Sequence, residues 1–543
     1  MASRMNPKAI TRRNLLKSSG LLALSSGIPS SAISRPATSP PDPNFDSNIY
    51  ESIGVRPIIN CRGTFTIISG SQSLPETKQA MDQASRHYVQ MDELMEAVSK
   101  RLAELTQAEW GIVTAGCAAA ITNATAACVA GANPERMQRL PNLEGLKNEV
   151  IMAKYSRNEY DHATRMIGVK VIEVNSYEEL ANAFNPRTAM VLIFSSPAAE
   201  KGPFNLETTC RVAKDKGVPV FVDAAAENLT IPNIHLQRGA TMVGYSGGKC
   251  LRGPQCAGLL LGKKDLLQAA WLNSAPHHAF GRSLKVGKEE IMGMLAAVEM
   301  WTKRDHDAEW KTWESWLAAI SDRVTKIPGV STEYIQPEDL SNHAPHLRIK
   351  WDGKALNITG TEVSKTLADG SPRIFMAGAT GRRPDEMASS VTVMPYMMMP
   401  GDHKIAADAL FQVLSKPPKF EDPVIPSGAP GKIAGVWHVK LTYLIGSGTH
   451  RFIIEQNGSA LSGLHEGEFF HGHLKGTVHA DQVRFTSSHR AEGTVLHYAF
   501  AGNVSGDTMS GSVSLGEYGT ATWEAHLESF SSSYSSWVDF PAK

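Results

Sequence analysis

Between Trp110 and Gly262 short apolar runs alternate with helical or loop segments, the order expected of a three-layer α/β domain built on a largely parallel sheet. The runs Gly111 to Ala115, Glu149 to Ala153, Val169 to Val174, Ala189 to Phe194, Pro219 to Asp223, Thr241 to Tyr245 and Ala257 to Leu261 predict seven strands. Several are unbroken Val, Ile and Leu stretches suited to burial on both faces. Ala118 to Ala130 and Leu206 to Lys216 carry apolar positions at helical spacing, and Gly217 stands where a helix C-cap belongs.

Farther along, Gly287 to Thr302 and Glu309 to Ile327 read as long helices, followed by strand-like His346 to Trp351 and helix-like Gly360 to Ala368, a smaller α+β domain. Pro417, Pro418, Pro423, Pro426, Gly428, Pro430 and Gly431 then crowd one short stretch, the composition of a linker. Beyond it the period changes to two. Arg451 to Gln456, Gln482 to Thr486, Leu496 to Phe500 and Thr520 to Ala525 alternate polar and apolar residues, with turns such as Asn457-Gly458 and Gly506-Asp507. About eight short antiparallel strands predict a small barrel or sandwich, with Trp437, Phe452, Phe485, Phe500 and Trp523 as its core. The expected divisions are 1–41 (signal and linker), 42–300 (N-terminal segment and large domain), 301–416 (smaller domain), 417–432 (linker), 433–527 (β domain) and 528–543 (tail).

Composition adds exclusions. Fifty-four Lys plus Arg balance fifty-four Asp plus Glu, so no excess positive charge argues for nucleic acid. The six Cys include no Cys-x-x-Cys pair and stop at Cys256, which reads as small buried hydrophobes rather than a disulfide framework. At the N-terminus, Thr11-Arg12-Arg13-Asn14-Leu15-Leu16-Lys17 precedes a mildly apolar stretch to about Ile28, the pattern of a twin-arginine export signal. Lys17, Ser18, Ser19 and Gly20 break that stretch well short of the roughly 20 apolar residues of a membrane span. The expectation is recognition by the twin-arginine export machinery and a periplasmic or exported protein, the signal cleaved or kept as a tether. The alternative is a basic tail on a cytoplasmic protein.

The chemistry lies in the α/β region. The strand Val218 to Val222 runs into Asp223-Ala224-Ala225, and twenty-six residues past Asp223, after another predicted strand, comes Ser246-Gly247-Gly248-Lys249. A strand-end carboxylate followed by a strand-end lysine suits pyridoxal 5'-phosphate. Lysine forms an imine with the cofactor aldehyde and then serves as nucleophile and base. The carboxylate keeps the pyridine nitrogen protonated, which makes the ring an electron sink. Ala225 is small enough to lie flat against that ring. The turn Thr114-Ala115-Gly116-Cys117-Ala118-Ala119 brings backbone N–H groups to a phosphate at a helix N-terminus.

The segment Gly239 to Gly258, with Ser246-Gly247-Gly248-Lys249 and Arg252-Gly253-Pro254-Gln255 at its centre, resembles the lysine loop of the bacterial selenocysteine synthase-like family, which includes D-glucosaminate-6-phosphate ammonia-lyase. Val220 to Glu227, Val113 to Ala120 and Gly281 to Glu290 are similar as well, and the resemblance runs from about Ile49 to Ser415. It implies a fold-type I pyridoxal-phosphate enzyme assembled as a homodimer or larger homo-oligomer, with sites at subunit interfaces. Lys249 then matches the imine lysine, Asp223 the pyridinium partner, and Gly116, Cys117 and Ala118 the phosphate turn.

Further candidates carry two readings each. Ser246 offers a hydroxyl to the cofactor phosphate or steadies its own turn. His162, in Tyr160-Asp161-His162-Ala163, stands where ring-stacking or substrate-handling residues lie in this fold, or is a plain loop histidine. Arg282 reaches a phosphate or substrate carboxylate from a neighbouring subunit, or forms a surface salt bridge. Arg373, from the smaller domain, is a candidate for a bidentate pair with the substrate carboxylate. Arg62 lies in a segment that folds over such sites, with a structural loop arginine as the plainer reading. Nine of the eighteen His fall after Ile433, but no Cys or clustered carboxylate completes a ligand set. No metal is expected, and strand histidines such as His471 and His473 read as solvent-facing.

The resemblance favours β-elimination, ammonia-lyase-like, on an amino acid or amino-sugar acid, with a transferase or racemase acting on an amino acid as the alternative. Selenium transfer to tRNA is disfavoured by the balanced charge and the export signal. An exported binding protein on the same scaffold predicts damage at Asp223 or Lys249, and both are intact.

Overall fold

In the computed structural model, which describes residues 48–528 other than 203, 423 and 425, the alternating region folds as the pattern requires. The twin-arginine segment lies outside the described residues. Residues 48–57 form a unit of their own, a 3-10 turn at Glu51–Ile53 closed by Gly54, and the chain from Ile58 onward forms a second. There β1 (Ile59–Cys61) precedes the seven strands of the large sheet. These are β2 (Trp110–Thr114), β3 (Glu149–Ala153), β4 (Lys170–Val174), β5 (Thr188–Phe194), β6 (Val220–Asp223), β7 (Met242–Ser246) and β8 (Gly258–Gly262), in the order β2-β8-β7-β6-β5-β3-β4. β8 runs antiparallel to both neighbours and the other pairs are parallel. Every residue of β2, β3 and β8 is buried, because helices cover both faces, and this is why these strands read as unbroken apolar runs.

The smaller domain holds β9 (Ser331–Ile335), β10 (His346–Asp352), β11 (Ile374–Arg382) and β12 (Glu386–Val393). Its sheet order is β1-β11-β12-β10-β9, so the N-terminal segment, grouped by sequence with the large domain, supplies an edge strand here. Ile59 lies opposite Ile374 in parallel register and covers an edge that β11 would otherwise expose. Three residues are too few for periodicity to reveal.

The C-terminal region is a closed barrel, not a sandwich. Its strands are β13 (Gly435–Thr442), β14 (Ser447–Asn457), β15 (Ala460–Glu466), β16 (His471–His479), β17 (Gln482–Ala491), β18 (Thr494–Ser505), β19 (Thr508–Ser514) and β20 (Thr520–Leu527). Each pairs antiparallel with the next, and β20 returns to β13. Trp437, Phe452, Phe485, Phe500 and Trp523 are all buried, with the Phe452 and Phe485 rings edge to face at 5.0 Å.

Two expectations need correction. His471 and His473 do face solvent, but His450, His465 and His489 point inward and are buried. His450 is two residues from Phe452, and His489 is two from Ser487 and four from Phe485, so each shares the inward face of its strand. Cys256 is exposed and Cys128 is half-buried, while the remaining four cysteines are buried as expected. Cys128 lies near the end of the Gly116–Ala130 helix and Cys256 in the turn before β8.

The barrel docks through the β17–β18 hairpin. Arg157, just past β3, holds Asp161 and reaches Glu492 at the hairpin tip and Glu173 at 3.0 Å, while Arg490 also binds Glu173, at 3.1 Å. Gly493 lies so close to the Asn158 carbonyl that any side chain there would collide with it.

Candidate active site

The parallel strands end on one side of the large sheet, where open α/β sheets place their ligand crevice. Asp223 is the last residue of β6 and only 5% exposed. Its Oδ1 accepts from the Ala225 N–H at 3.1 Å and from the Cys117 thiol at 3.4 Å. Oδ2 takes no hydrogen bond among the described residues, so one carboxylate oxygen stays available to a donor in the crevice. Burial pushes the Asp223 carboxyl above the usual carboxylate range, against the pull of the Lys249 charge and the two hydrogen bonds. Burial and Asp223 together hold the Cys117 thiol well above its ordinary value, so it remains a donor.

Cys117 and Gly116 open the Gly116–Ala130 helix, whose interior is almost wholly buried. Its N-cap, Ala115, makes no side-chain bond to the first turn, and Ala118 is exposed where its neighbours are covered. An uncapped N-terminus on a fifteen-residue helix leaves N–H donors and the positive end of the helix dipole for an anion. Gly116 takes φ +82, with nothing within 4 Å of where a Cβ would stand. Glycine is therefore required by the backbone there, and the space beside it is free.

Ser246 ends β7 and its N–H donates to the Ala225 carbonyl at 3.2 Å, which ties the lysine loop to the strand carrying Asp223. Ala225, Ser246 and Lys249 are all half-buried, consistent with lining a cleft. Gly248 packs against Gln255 with no room for a side chain, and the N-terminal segment runs along the same loop through Ser71 N–H to the Gly248 carbonyl at 3.1 Å. Gly116, Cys117, Ala118, Asp223, Ala225, Ser246 and Lys249 thus gather at the ends of β2, β6 and β7. They fit pyridoxal phosphate: an anion cradle, a buried carboxylate with a free oxygen, and a lysine whose charge acts on that carboxylate.

The arginines and His162 lie farther out. His162 is exposed in the short Asp161–Arg165 helix and has no hydrogen bond to Asp223, Ser246 or Lys249. Arg62 is half-buried and stacks on Phe65 at 4.6 Å. Arg282 is exposed. Arg373 donates from Nε to the Ala368 carbonyl at 2.8 Å and covers Phe375 at 5.2 Å, which engages it at a helix end of the smaller domain.

Two features escaped the sequence reading. Burial, with the charges of Glu159 and Asp223 and, more weakly, of Glu517 in the barrel, raises the Tyr160 hydroxyl above its ordinary value. Behind the site, Glu227 accepts from Ser195 and pairs with His235 at 2.6 Å, all three buried, and the Cys250 thiol donates to the Glu227 carbonyl at 2.8 Å. Glu227 was inside the segment Val220 to Glu227, but its partners are up to thirty-two residues away, so no local pattern marked it.

No family model matches the chain. It is 28% identical over 338 residues to D-glucosaminate-6-phosphate ammonia lyase of Salmonella typhimurium (strain 14028s / SGSC 2262), covering 60% of this chain and 89% of that protein. It is 30% identical over 343 residues to 5'-C-glycyluridine monooxygenase-decarboxylase of a Streptomyces species, covering 60% of this chain and 83% of the relative. Among solved structures, D-glucosaminate-6-phosphate ammonia-lyase superimposes with a TM-score of 0.60 at 26% identity, over 68% of this chain and 98% of that one.

Proposed function

The chain belongs to the selenocysteine synthase-like family of fold-type I pyridoxal-phosphate enzymes that includes D-glucosaminate-6-phosphate ammonia-lyase, and from that premise we propose that it eliminates a β-substituent from an amino acid or amino-sugar acid. The observation that carries the reading is the buried Asp223 carboxylate, one oxygen free, between an uncapped helix N-terminus and the charge of Lys249.

When bound, pyridoxal phosphate supplies a conjugated ring that accepts the electron pair left on the substrate α-carbon. The residues around it have separable tasks. Lys249 would hold the cofactor through Nζ, and the same amine would move a proton between the substrate α-carbon and the leaving group. Asp223 keeps a proton on the ring nitrogen. The N–H groups of Gly116, Cys117 and Ala118, with the Ser246 hydroxyl, bind the phosphate. Ala225 leaves room for the ring on one side, and His162 is assigned to the substrate side. Arg62, Arg282 and Arg373 are the candidates for the substrate carboxylate, with Arg282 contributed across a subunit interface of a homo-oligomer. Export through the twin-arginine machinery to the periplasm belongs to the same reading, since that route carries folded protein with its cofactor in place.

The name of the Streptomyces relative couples oxygenation to decarboxylation, which makes loss of the α-carboxylate the competing reaction. One experiment separates them. The purified enzyme is incubated with D- and L-amino acids and amino-sugar acids while ammonia, carbon dioxide and dissolved oxygen are followed. Ammonia without oxygen uptake supports elimination; carbon dioxide with oxygen uptake overturns it. Lys249→Ala abolishes both turnover and the visible absorbance of the bound cofactor; if both persist, the role given to Lys249 is wrong.

A further inference from the structure

The two ends of the barrel differ. At one end the linker plugs the interior: Ile433 is fully buried, its carbonyl accepts from the Trp437 indole at 2.9 Å, and its N–H is held by Gln456 at 2.8 Å. Above that plug lies the aromatic layer of Phe452, Phe485, Phe500 and Trp523. At the other end the interior turns polar. Tyr443, His450, His465 and Ser487 form one hydrogen-bonded chain, with links of 3.2, 2.7 and 2.6 Å, and His489 packs on His465 at 4.3 Å between ring centroids. Beside this chain opens a cavity of about 440 Å³ whose lining includes Tyr443, Leu496, His497, Tyr498, Leu515 and Tyr518, with Leu444 and Ile445 at its rim.

We propose that this open end is a binding site for a small, uncharged, mainly apolar molecule bearing a hydrogen-bonding group. The volume lies in the range of small-molecule pockets, and the lining is aromatic and aliphatic with a few polar atoms, the usual composition of such sites. No Asp, Glu, Lys or Arg lines it, the lining His497 is engaged by the Ser488 hydroxyl at 3.0 Å, and burial holds the histidines beneath it neutral, so an ionic ligand would find no permanent counter-charge. A polar chain in a barrel interior costs stability relative to phenylalanine unless it has a task. In the layer beneath the cavity the buried Nε2 of His489 has no partner, and the lining Tyr498 hydroxyl makes no hydrogen bond among the described residues. Leu444 and Ile445 are 97% and 90% exposed at the tip of the β13–β14 hairpin, apolar surface that a bound molecule would cover. The cavity shares no lining residue with the Asp223, Ser246 and Lys249 crevice, and the binding proposed for it does not depend on the reaction assigned there.

The test uses the full-length, cofactor-loaded enzyme and isothermal titration with 2-naphthol, an uncharged bicyclic ring with one hydroxyl. One equivalent binds saturably, and naphthalene-2-sulfonate, the same ring with a fixed negative charge, binds at least tenfold more weakly. Leu496→Glu, which places a charge in the lining, weakens 2-naphthol at least tenfold. Leu515→Trp, which fills the cavity with an apolar side chain, does the same without a charge. Tyr498→Phe keeps the shape and costs several-fold. Far-ultraviolet dichroism and cofactor absorbance verify that each variant is folded; where one is not, the other decides. Absence of saturable binding, equal affinity for the sulfonate, or unchanged binding in Leu496→Glu or Leu515→Trp overturns the proposal.

Discussion

Acidification from pH 7 to pH 5 should loosen the barrel while leaving the α/β domain in place. Burial, with the neighbouring His489 and His450, pushes His465 down to about 2, and burial with His450 pushes His489 down to about 4. Both lie far below the value of about 6.5 expected in an unfolded chain. The folded barrel therefore binds fewer protons than the unfolded one across this window. Stability is complete above about pH 6.5 and falls as pH drops below it, at about 1.4 kcal/mol per histidine per pH unit. Over the step from pH 7 to pH 5 each histidine contributes about 2 kcal/mol of loss, or about 4 kcal/mol together. His489 adds nothing further below about pH 4, whereas His465 continues to weaken the fold to about pH 2. Both side chains are at most 1% exposed, so solvent screening removes little of this. The other groups nearby are Glu468, which acts on His450 in the opposite direction, and His471, which acts on His489 in the same one. Peptide-resolved hydrogen exchange on the whole protein, corrected for intrinsic rates, reads the effect strand by strand. Protection in β14, β15 and β17 should fall by about 10³ between the two pH values, and His489→Phe should remove about half of that change. Equal protection at pH 7 and pH 5, or an unaltered slope in His489→Phe, would refute the reasoning.

Other outcomes follow from the site and the docking contact. Asp223→Asn retains cofactor on Lys249 but cannot hold the ring-nitrogen proton, and steady-state assays should find kcat lower by about 10²-fold or more; an activity within twofold of wild type contradicts the assignment. Gly116→Val forces a β-branched residue into φ +82 at a cost of about 1–2 kcal/mol, and should weaken cofactor affinity measured by absorbance titration as the helix N-terminus shifts. Arg157→Ala leaves Asp161, 1% exposed, without its cation and should destabilise the protein by about 3–5 kcal/mol in thermal unfolding. An unchanged melting temperature would mean that the Arg157 contact holds nothing.

The large sheet was legible because most of its strands, unlike the edge strand β4, are buried on both faces: the predicted run Glu149 to Ala153 coincides with β3, and the other six agree within a residue at each end. The barrel was legible through its two-residue period, which also predicts the five core aromatics. What sequence could not supply was direction. A histidine on a strand has the same pattern whether its face turns out, as at His471, or in, as at His465; only the register of Phe452 opposite His465 decides. Among the cofactor candidates, Asp223, Cys117 and Ser246 could be singled out in the sequence because each ends a strand or begins a helix, positions that punctuation marks. The Glu227 cluster was missed because its partners Ser195 and His235 come from other elements, and the edge strand β1 because three residues carry no period.

The clasp between Arg157 and Glu492 spans 335 residues of chain. During synthesis the α/β domain leaves the ribosome long before the hairpin that grips it, so the loop from Arg157 to Asp161 spends most of translation with one anchor missing. A product truncated in the linker would carry every residue assigned to the cofactor yet lack that grip. Completing the last hairpins is thus the step at which a finished molecule becomes distinguishable from an aborted one.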